Sequence, residues 1–264
     1  MSEKTPILFL HGAFCGPEIW TRFVAPWFAG RGHPVAAPRL ADPFAARPAR
    51  LRDYVRKAVA AADTLGAPPV VVGHSLGGLV AQHLAARRRV AGLALVASPG
   101  PAGLAPALWQ LSSGAPEVLA TLLVAQAGGG ALLGVEAVRR ALFTAATPDA
   151  WIREVMSSPT QESPLVLLDG LTWDLPPWYL MRRVPVLGLL GDRDAFVPVT
   201  DLWSTALAYG AETEMMQGFG HGLPLDPRWK ALAWRLNAWL DERRIGQGSG
   251  RGIGVAGRQH SAAR

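Results

Sequence analysis

Cysteine occurs once in these 264 residues, at Cys15, which excludes an internal disulfide and fits a reducing compartment, so the cytoplasm is the expected location. No signal-peptide pattern opens the chain. The apolar run in MSEKTPILFLHG is too short, and no small-residue cleavage site follows a long apolar core. Charge is scarce as well, 17% of residues against 50% hydrophobic, the balance of a domain whose parallel sheet is buried on both faces. The net charge of +6 does not mark a nucleic-acid partner. Residues 243–264 hold five arginines and no acid, leaving +1 for the rest, and basic and aromatic residues nowhere interleave. The histidines lack metal-ligand spacing, and neither a phosphate loop nor a dinucleotide fingerprint is present, so no metal and no cofactor are expected. One uncharged run, Val118 to Val135, is long enough for a membrane span. It contains Thr121, Gln126 and three consecutive glycines, and reads as two short helices around a flexible turn, with no stable membrane insertion.

What is present centres on residues 69–84. Val70, Val71 and Val72 read as a buried strand that runs into Gly73-His74-Ser75-Leu76-Gly77 and then into a helix. So abrupt a reversal strains the backbone at Ser75 and leaves room only for glycine two residues to either side. It also pushes the hydroxyl out of the sheet at the positive end of the helix. Ser75 is therefore the candidate nucleophile. Serine is inert at neutral pH without a base. His221, bracketed by glycines in Gly218-Phe219-Gly220-His221-Gly222 after the last strand, is the best placed of six histidines. His74 must point its ring away from Ser75, His33 and His83 read as structural, and His260 lies in the tail. A carboxylate should orient the base. Asp194, three residues past Gly191, is the choice, with Asp192 in the same loop as its rival; position alone cannot place either side chain. The oxyanion donors would be backbone N–H groups, that of Leu76 and that of Ala13 in the loop after the first strand, with Phe14 next in line.

In chain order, strands at Pro6–Leu10, around Val35, at Val70–Val72 and at Gly92–Val96 alternate with helical stripes. One stripe is Trp20, Phe23, Val24, Trp27 and Phe28, read as a single helix; another runs from Leu51 to Ala62. The pattern is that of a doubly wound, mostly parallel α/β sheet. From 101 to 183 the rhythm breaks into helical pieces rich in tryptophan, expected to form a helical cap over the strand ends, where open sheets keep their ligands. Phe14, His74, Trp109 and Trp173 are the candidate lining residues. The sheet resumes at Val184–Leu190, with a helix at Asp201–Tyr209, a short strand at Glu212–Met216 and a last helix from about Pro227. Residues 246–264, mostly Gly, Ser, Gln and Arg, read as a disordered basic tail.

Leu10-His11-Gly12, Gly73-His74-Ser75-Leu76-Gly77-Gly78, the run Gly191 to Pro198, and Gly220-His221 together resemble the α/β-hydrolase fold family over about residues 5–242. The resemblance implies a sheet of about six strands formed by 1–100 and 184–245, the 101–183 cap inserted between them, and Asp194 as the acid, since that family's acid stands three residues after this glycine. Within the family, His11-Gly12-Ala13, Trp20 and Gly32-His33-Pro34-Val35 are similar to the plant methyl esterase and hydroxynitrile lyase branch. The lyases' lysine after the base is absent, Gly222 standing there, so cyanohydrin chemistry is not expected. The expected activity is hydrolysis of an apolar small-molecule ester, thioester or lactone by Ser75, His221 and Asp194. Alternatives are a cofactor-free haloperoxidase, a carbon–carbon bond hydrolase, or a ligand receptor on the same scaffold.

Overall fold

Alternation along the strands decides the layering. In β1 (Ile7–Leu10), Ile7 and Phe9 face one side of the sheet while Leu8 and Leu10 face the other. The structure, a computed structural model, describes residues 4–41, 47–128, 133–155, 162–179, 184–243 and 245. After β1 come α1 (Glu18–Thr21), α2 (Val24–Ala29), β2 (Val35–Ala36), α3 (Leu51–Asp63), β3 (Val70–His74), α4 (Leu76–Ala85) and β4 (Gly92–Val96). Five helices follow: α5 (Ala105–Gly114), α6 (Pro116–Gln126), α7 (Val135–Leu142), α8 (Asp149–Val155) and α9 (Pro164–Thr172), with no strand among the described residues of this segment. Then come β5 (Val186–Gly191), α10 (Val199–Tyr209), β6 (Glu212–Met216) and α11 (Trp229–Glu242).

The six strands form one parallel sheet in the order β2-β1-β3-β4-β5-β6. Side chains of α1, α2 and α11 pack on Phe9, Val72 and Leu189, and those of α3 and α4 pack on Leu8, Val71 and Leu93, so both faces are covered as expected of a sheet poor in charge. The winding direction reverses between β1 and β3, and their C-terminal ends lie side by side, Leu10 opposite Gly73. Open α/β sheets bind ligands at such a switch point. Here it brings the loop after β1 against Ser75.

The expected single helix over Trp20–Phe28 is two. Phe23 leaves the helical region at φ −135°, and the reason is Pro26. In a continuous helix Pro26 could not donate to the carbonyl of residue 22 and its ring would collide with it. Placed in the first turn of α2, it has no bond to lose. Of the two helices expected within Val118–Val135, α6 occupies the first half, whereas α7 begins only at Val135, the last residue of the run; residues 129–132 between them lie outside the described residues. Among the described residues no helix is long and apolar enough to cross a membrane.

The 101–183 segment is fastened to the sheet domain by buried acids. Asp169 of α9 accepts from Arg50 Nε at 2.8 Å and from the backbone N–H of Leu51 at 3.0 Å, so the segment caps the start of α3. Glu162 accepts from the Tyr54 hydroxyl, and Ser163 Oγ donates to Ala49 O at 2.7 Å.

Asp201 in α10 is buried, and its Oδ2 has no partner among the described residues. Burial pushes its carboxyl up to about 7. Between about pH 4 and pH 7 the folded state therefore holds a proton that the unfolded chain has released, so stability falls as pH rises through that window. Asp201→Asn is expected to remove this slope. Thermal unfolding should show the variant more stable than wild type at pH 8, with the gain shrinking towards pH 4.

Candidate active site

The turn from β3 into α4 has no loop residues except Ser75, which sits at φ 53°, ψ −126°. A side chain in that region carries about 1–3 kcal/mol of strain and persists only where its surroundings over-determine it. They do so here. The Ser75 N–H donates to Val96 O at 3.0 Å, and Ser75 O accepts from Gly78 N at 2.8 Å. A Cβ on Gly73 would lie 2.5 Å from Gly77 O, and one on Gly77 would strike the carbonyls of Leu10 and His11. The N–H of Leu76, first in α4, has no intrahelical acceptor.

The loop after β1 is held by a histidine whose role the sequence did not reveal. His11 is buried; its Nε2 accepts from Leu40 N at 2.9 Å and its Nδ1 donates to Gly12 O at 2.9 Å. Burial lowers its pKa to about 4, so the ring is neutral at physiological pH, as this pairing requires. Gly12 brings the loop beside Ser75, since a Cβ there would sit 3.0 Å from Ser75 Cβ. Phe14 follows in the left-handed region at φ 60°. Cys15 donates from Sγ to Gly12 O at 3.2 Å, and burial pushes its thiol up to about 12, far from a reactive thiolate.

His221 lies after β6 and Asp194 after β5. His221 Nδ1 donates to Asp194 Oδ2 at 2.8 Å, with Oδ1 at 3.1 Å, and both side chains are buried. Asp194 Oδ1 also accepts from the N–H groups of Phe196 at 2.8 Å and Val197 at 2.9 Å. Its rival Asp192 instead accepts from Gly218 N at 2.6 Å. With Nδ1 committed to the carboxylate, Nε2 is the nitrogen left for a substrate or the serine. The Phe196 ring stacks on the imidazole with centroids 4.4 Å apart. The backbone of the loop is anchored twice more: Gly222 N donates to Leu142 O at 2.6 Å, and His74 Nε2 donates to His221 O at 2.9 Å. Neither anchor could be read from spacing, because both cross between distant segments.

Ser75, His74 and His221 border one cavity of about 390 Å³ together with Ala13, Phe14 and Leu76. The remaining wall is mostly aliphatic, dominated by Leu104, Leu111, Leu122, Leu142 and Leu171, and among the described residues no Asp, Glu, Lys or Arg lines it. Trp109 and Trp173, expected to line it, do not: they are 75% and 81% exposed. Ala107 and Leu111 form the buried side of α5, which turns Trp109 outward, and Trp173 lies just past the end of α9. A larger hollow of about 900 Å³ lies at the other end of the strands, before the starts of β1, β3, β4 and β5, among Lys4, Arg88, Arg89 and Arg243 and away from the serine.

A family model described as the alpha/beta hydrolase family matches residues 7–236. The chain belongs to the alpha/beta hydrolase family. No curated protein matches it in sequence. Among solved structures, this hydrolase is similar to a thermophilic esterase from Thermogutta terrifontis, with 20% identity, 92% of each chain covered and a TM-score of 0.69. It is similar to MenH from S. aureus, with 16% identity, 91% and 94% covered and a TM-score of 0.68. It is also similar to a monoacylglycerol lipase from Paleococcus ferrophilus, with 17% identity, 91% and 96% covered and a TM-score of 0.64. At these identities the likeness establishes the fold, and the chemistry has to be argued from the site.

Gly77→Ala sets a methyl group against rigid backbone and is expected to cost about 1–3 kcal/mol or more in urea unfolding, together with a loss of hydrolase activity. Gly114→Ala, with open space around the new methyl, should leave both nearly unchanged.

Proposed function

We propose that this alpha/beta hydrolase is a serine hydrolase of uncharged, apolar carboxylic esters, thioesters or lactones, with segment 101–183 as the cap over its site. The observation that carries the reading is the buried His221–Asp194 pair, whose imidazole borders the same largely apolar cavity as a serine held in a strained strand-to-helix turn. Ser75 Oγ attacks the carbonyl carbon while His221 Nε2 takes its proton. The negative charge on the tetrahedral oxygen falls to the N–H groups of Ala13 and Leu76. As the intermediate collapses, the imidazolium returns the proton to the leaving alcohol, thiol or ring oxygen. Water, deprotonated by the same nitrogen, then releases the acid from the acyl-enzyme. Asp194 holds Nδ1–H throughout, fixing the tautomer and stabilising the imidazolium.

The absence of charge from the wall among the described residues argues against charged substrates, because an unpaired ion in such a cavity would lose its hydration without compensation. At about 30 Å³ per water-sized group, the cavity holds on the order of a dozen heavy atoms. Across p-nitrophenyl esters of increasing chain length, kcat/KM is expected to rise about fourfold per methylene, the equivalent of ~0.8 kcal/mol each, until the cavity is filled, and then to stop rising. A flat profile would mean that the acyl chain lies elsewhere.

Ser75→Ala should lower turnover of a short p-nitrophenyl ester by about 10⁴-fold or more. A fluorophosphonate should attach to Ser75 in the wild type, seen as a mass increase on its tryptic peptide. A receptor with an inert serine would remain unlabelled, and that outcome would overturn the catalytic reading.

A further inference from the structure

His74 stands immediately before the nucleophile, at the end of β3, yet neither of its ring nitrogens reaches for Ser75. Its Nε2 is 2.9 Å from the backbone oxygen of His221, across 147 residues of chain. A carbonyl can only accept, so Nε2 carries the hydrogen and Nδ1 is bare. Nδ1 is buried and has no partner among the described residues. It lies against Gly12, where a Cβ would approach it to 3.1 Å. The ring is wedged between two neighbours, the imidazole of His221 at 4.9 Å and the indole of Trp20 at 6.4 Å between centroids. A side chain that buries an unpaired nitrogen carries a desolvation cost that an apolar residue of the same shape would not. What that residue would lack is the one hydrogen bond His74 makes.

We propose that His74 is a positioning residue: its Nε2–H holds the main chain of the catalytic base, tying the His221 loop to the strand that carries the nucleophile. This rests on the serine-hydrolase reading of Ser75 and His221. Ser75 and His221 come from strand ends separated by β4 and β5, so their relative placement depends on cross-connections of this kind. The bond runs directly from the residue before one reacting group to the backbone of the other. A displacement of about 1 Å in a reacting group can cost about a hundredfold in rate. Burial in an apolar setting, followed by the nearby His221, lowers the His74 pKa to about 3, which keeps the ring in its neutral donor form while His221 cycles.

His74→Met keeps the volume and removes the donor, whereas His74→Gln can present an N–H at nearly the position of Nε2. The expected result is a fall in kcat of about 10–100-fold for the Met variant on a short p-nitrophenyl ester, with KM nearly unchanged, and recovery of most of kcat in the Gln variant. Equal loss in both folded variants, or wild-type kcat in the Met variant, would overturn the proposal. If neither variant folds, nitrogen-15 NMR of the histidine rings in the wild type decides it. The His74 ring should stay neutral as the Nε2–H tautomer from pH 8 down to about pH 4, with a proton protected from exchange; the other tautomer, or a titration near pH 6.5, would overturn it. Ser75 labelling by fluorophosphonate is scored separately, so a failure of the catalytic reading is not confused with a failure of this one.

Discussion

The carbonyl oxygens of Leu10 and His11 lie where a Cβ on residue 77 would have to be, and the backbone of Gly77 and Gly78 lies where a Cβ on residue 73 would be. Three backbone segments thus meet without side chains between them: the end of β1, the strand-to-helix turn, and the first turn of α4. Because they meet, Ser75 is held at φ 53° by contacts on every side and does not relax into a regular helix cap. The same approach puts the loop of Gly12 and Ala13 beside the serine. A single methyl group at 73 or 77 would separate these segments, and the later elements of the site would then have nothing to converge on.

Most of this could be read from residue order. Val70–Val72 running into Gly73-His74-Ser75-Leu76-Gly77 specifies the turn, because only small residues fit around it, and the six-strand parallel sheet follows from short apolar runs alternating with helical stripes. Three things could not be read. Pro26 split an apparently continuous helix, and the stripe concealed it because Trp20, Val24 and Phe28 remain buried in both arrangements. Asp192 and Asp194 share one loop; position alone did not separate them, the resemblance favoured Asp194, and the hydrogen bonds of the folded chain place Asp194 on His221 and Asp192 on Gly218. Trp109 and Trp173 looked like pocket walls because tryptophan is large and apolar. Which face of a helix turns inward depends on packing between segments, and here aliphatic residues took the cavity while the indoles took the surface.

The helical segment does more than line the cavity. Leu142 and Phe143, at the end of α7, press their carbonyls onto the His221 loop, where a Cβ on Gly220 would come within 2.8 Å of both. Gly222 N donates to the first of them. The glycines on either side of His221 therefore reflect contact with the segment over the site as much as freedom of the loop itself. A Cβ on Gly222 would approach the Leu142 carbonyl to 3.0 Å and the Phe143 ring to 3.2 Å, so a larger side chain fits only if these neighbours give by a few tenths of an ångström.

Charge is placed with the same economy. Three histidines crowd the ends of β1 and β3 and the loop after β6, and in the proposed reaction one of them must become cationic. Burial lowers His11 to about 4 and His74 to about 3, so neither carries charge near neutral pH. Were His74 protonated, a second cation roughly 5 Å from the forming imidazolium would cost about 3 kcal/mol at an effective dielectric constant near 20. That is more than a hundredfold in rate. Among the described residues, Asp194 is then the one acidic side chain hydrogen-bonded to the His221 ring, and the aliphatic wall contributes no charged group. The scarcity of charge that marks the whole sequence is carried furthest around the serine, where, among the described residues, little opposes the influence of the buried Asp194 on the proton transfer proposed above.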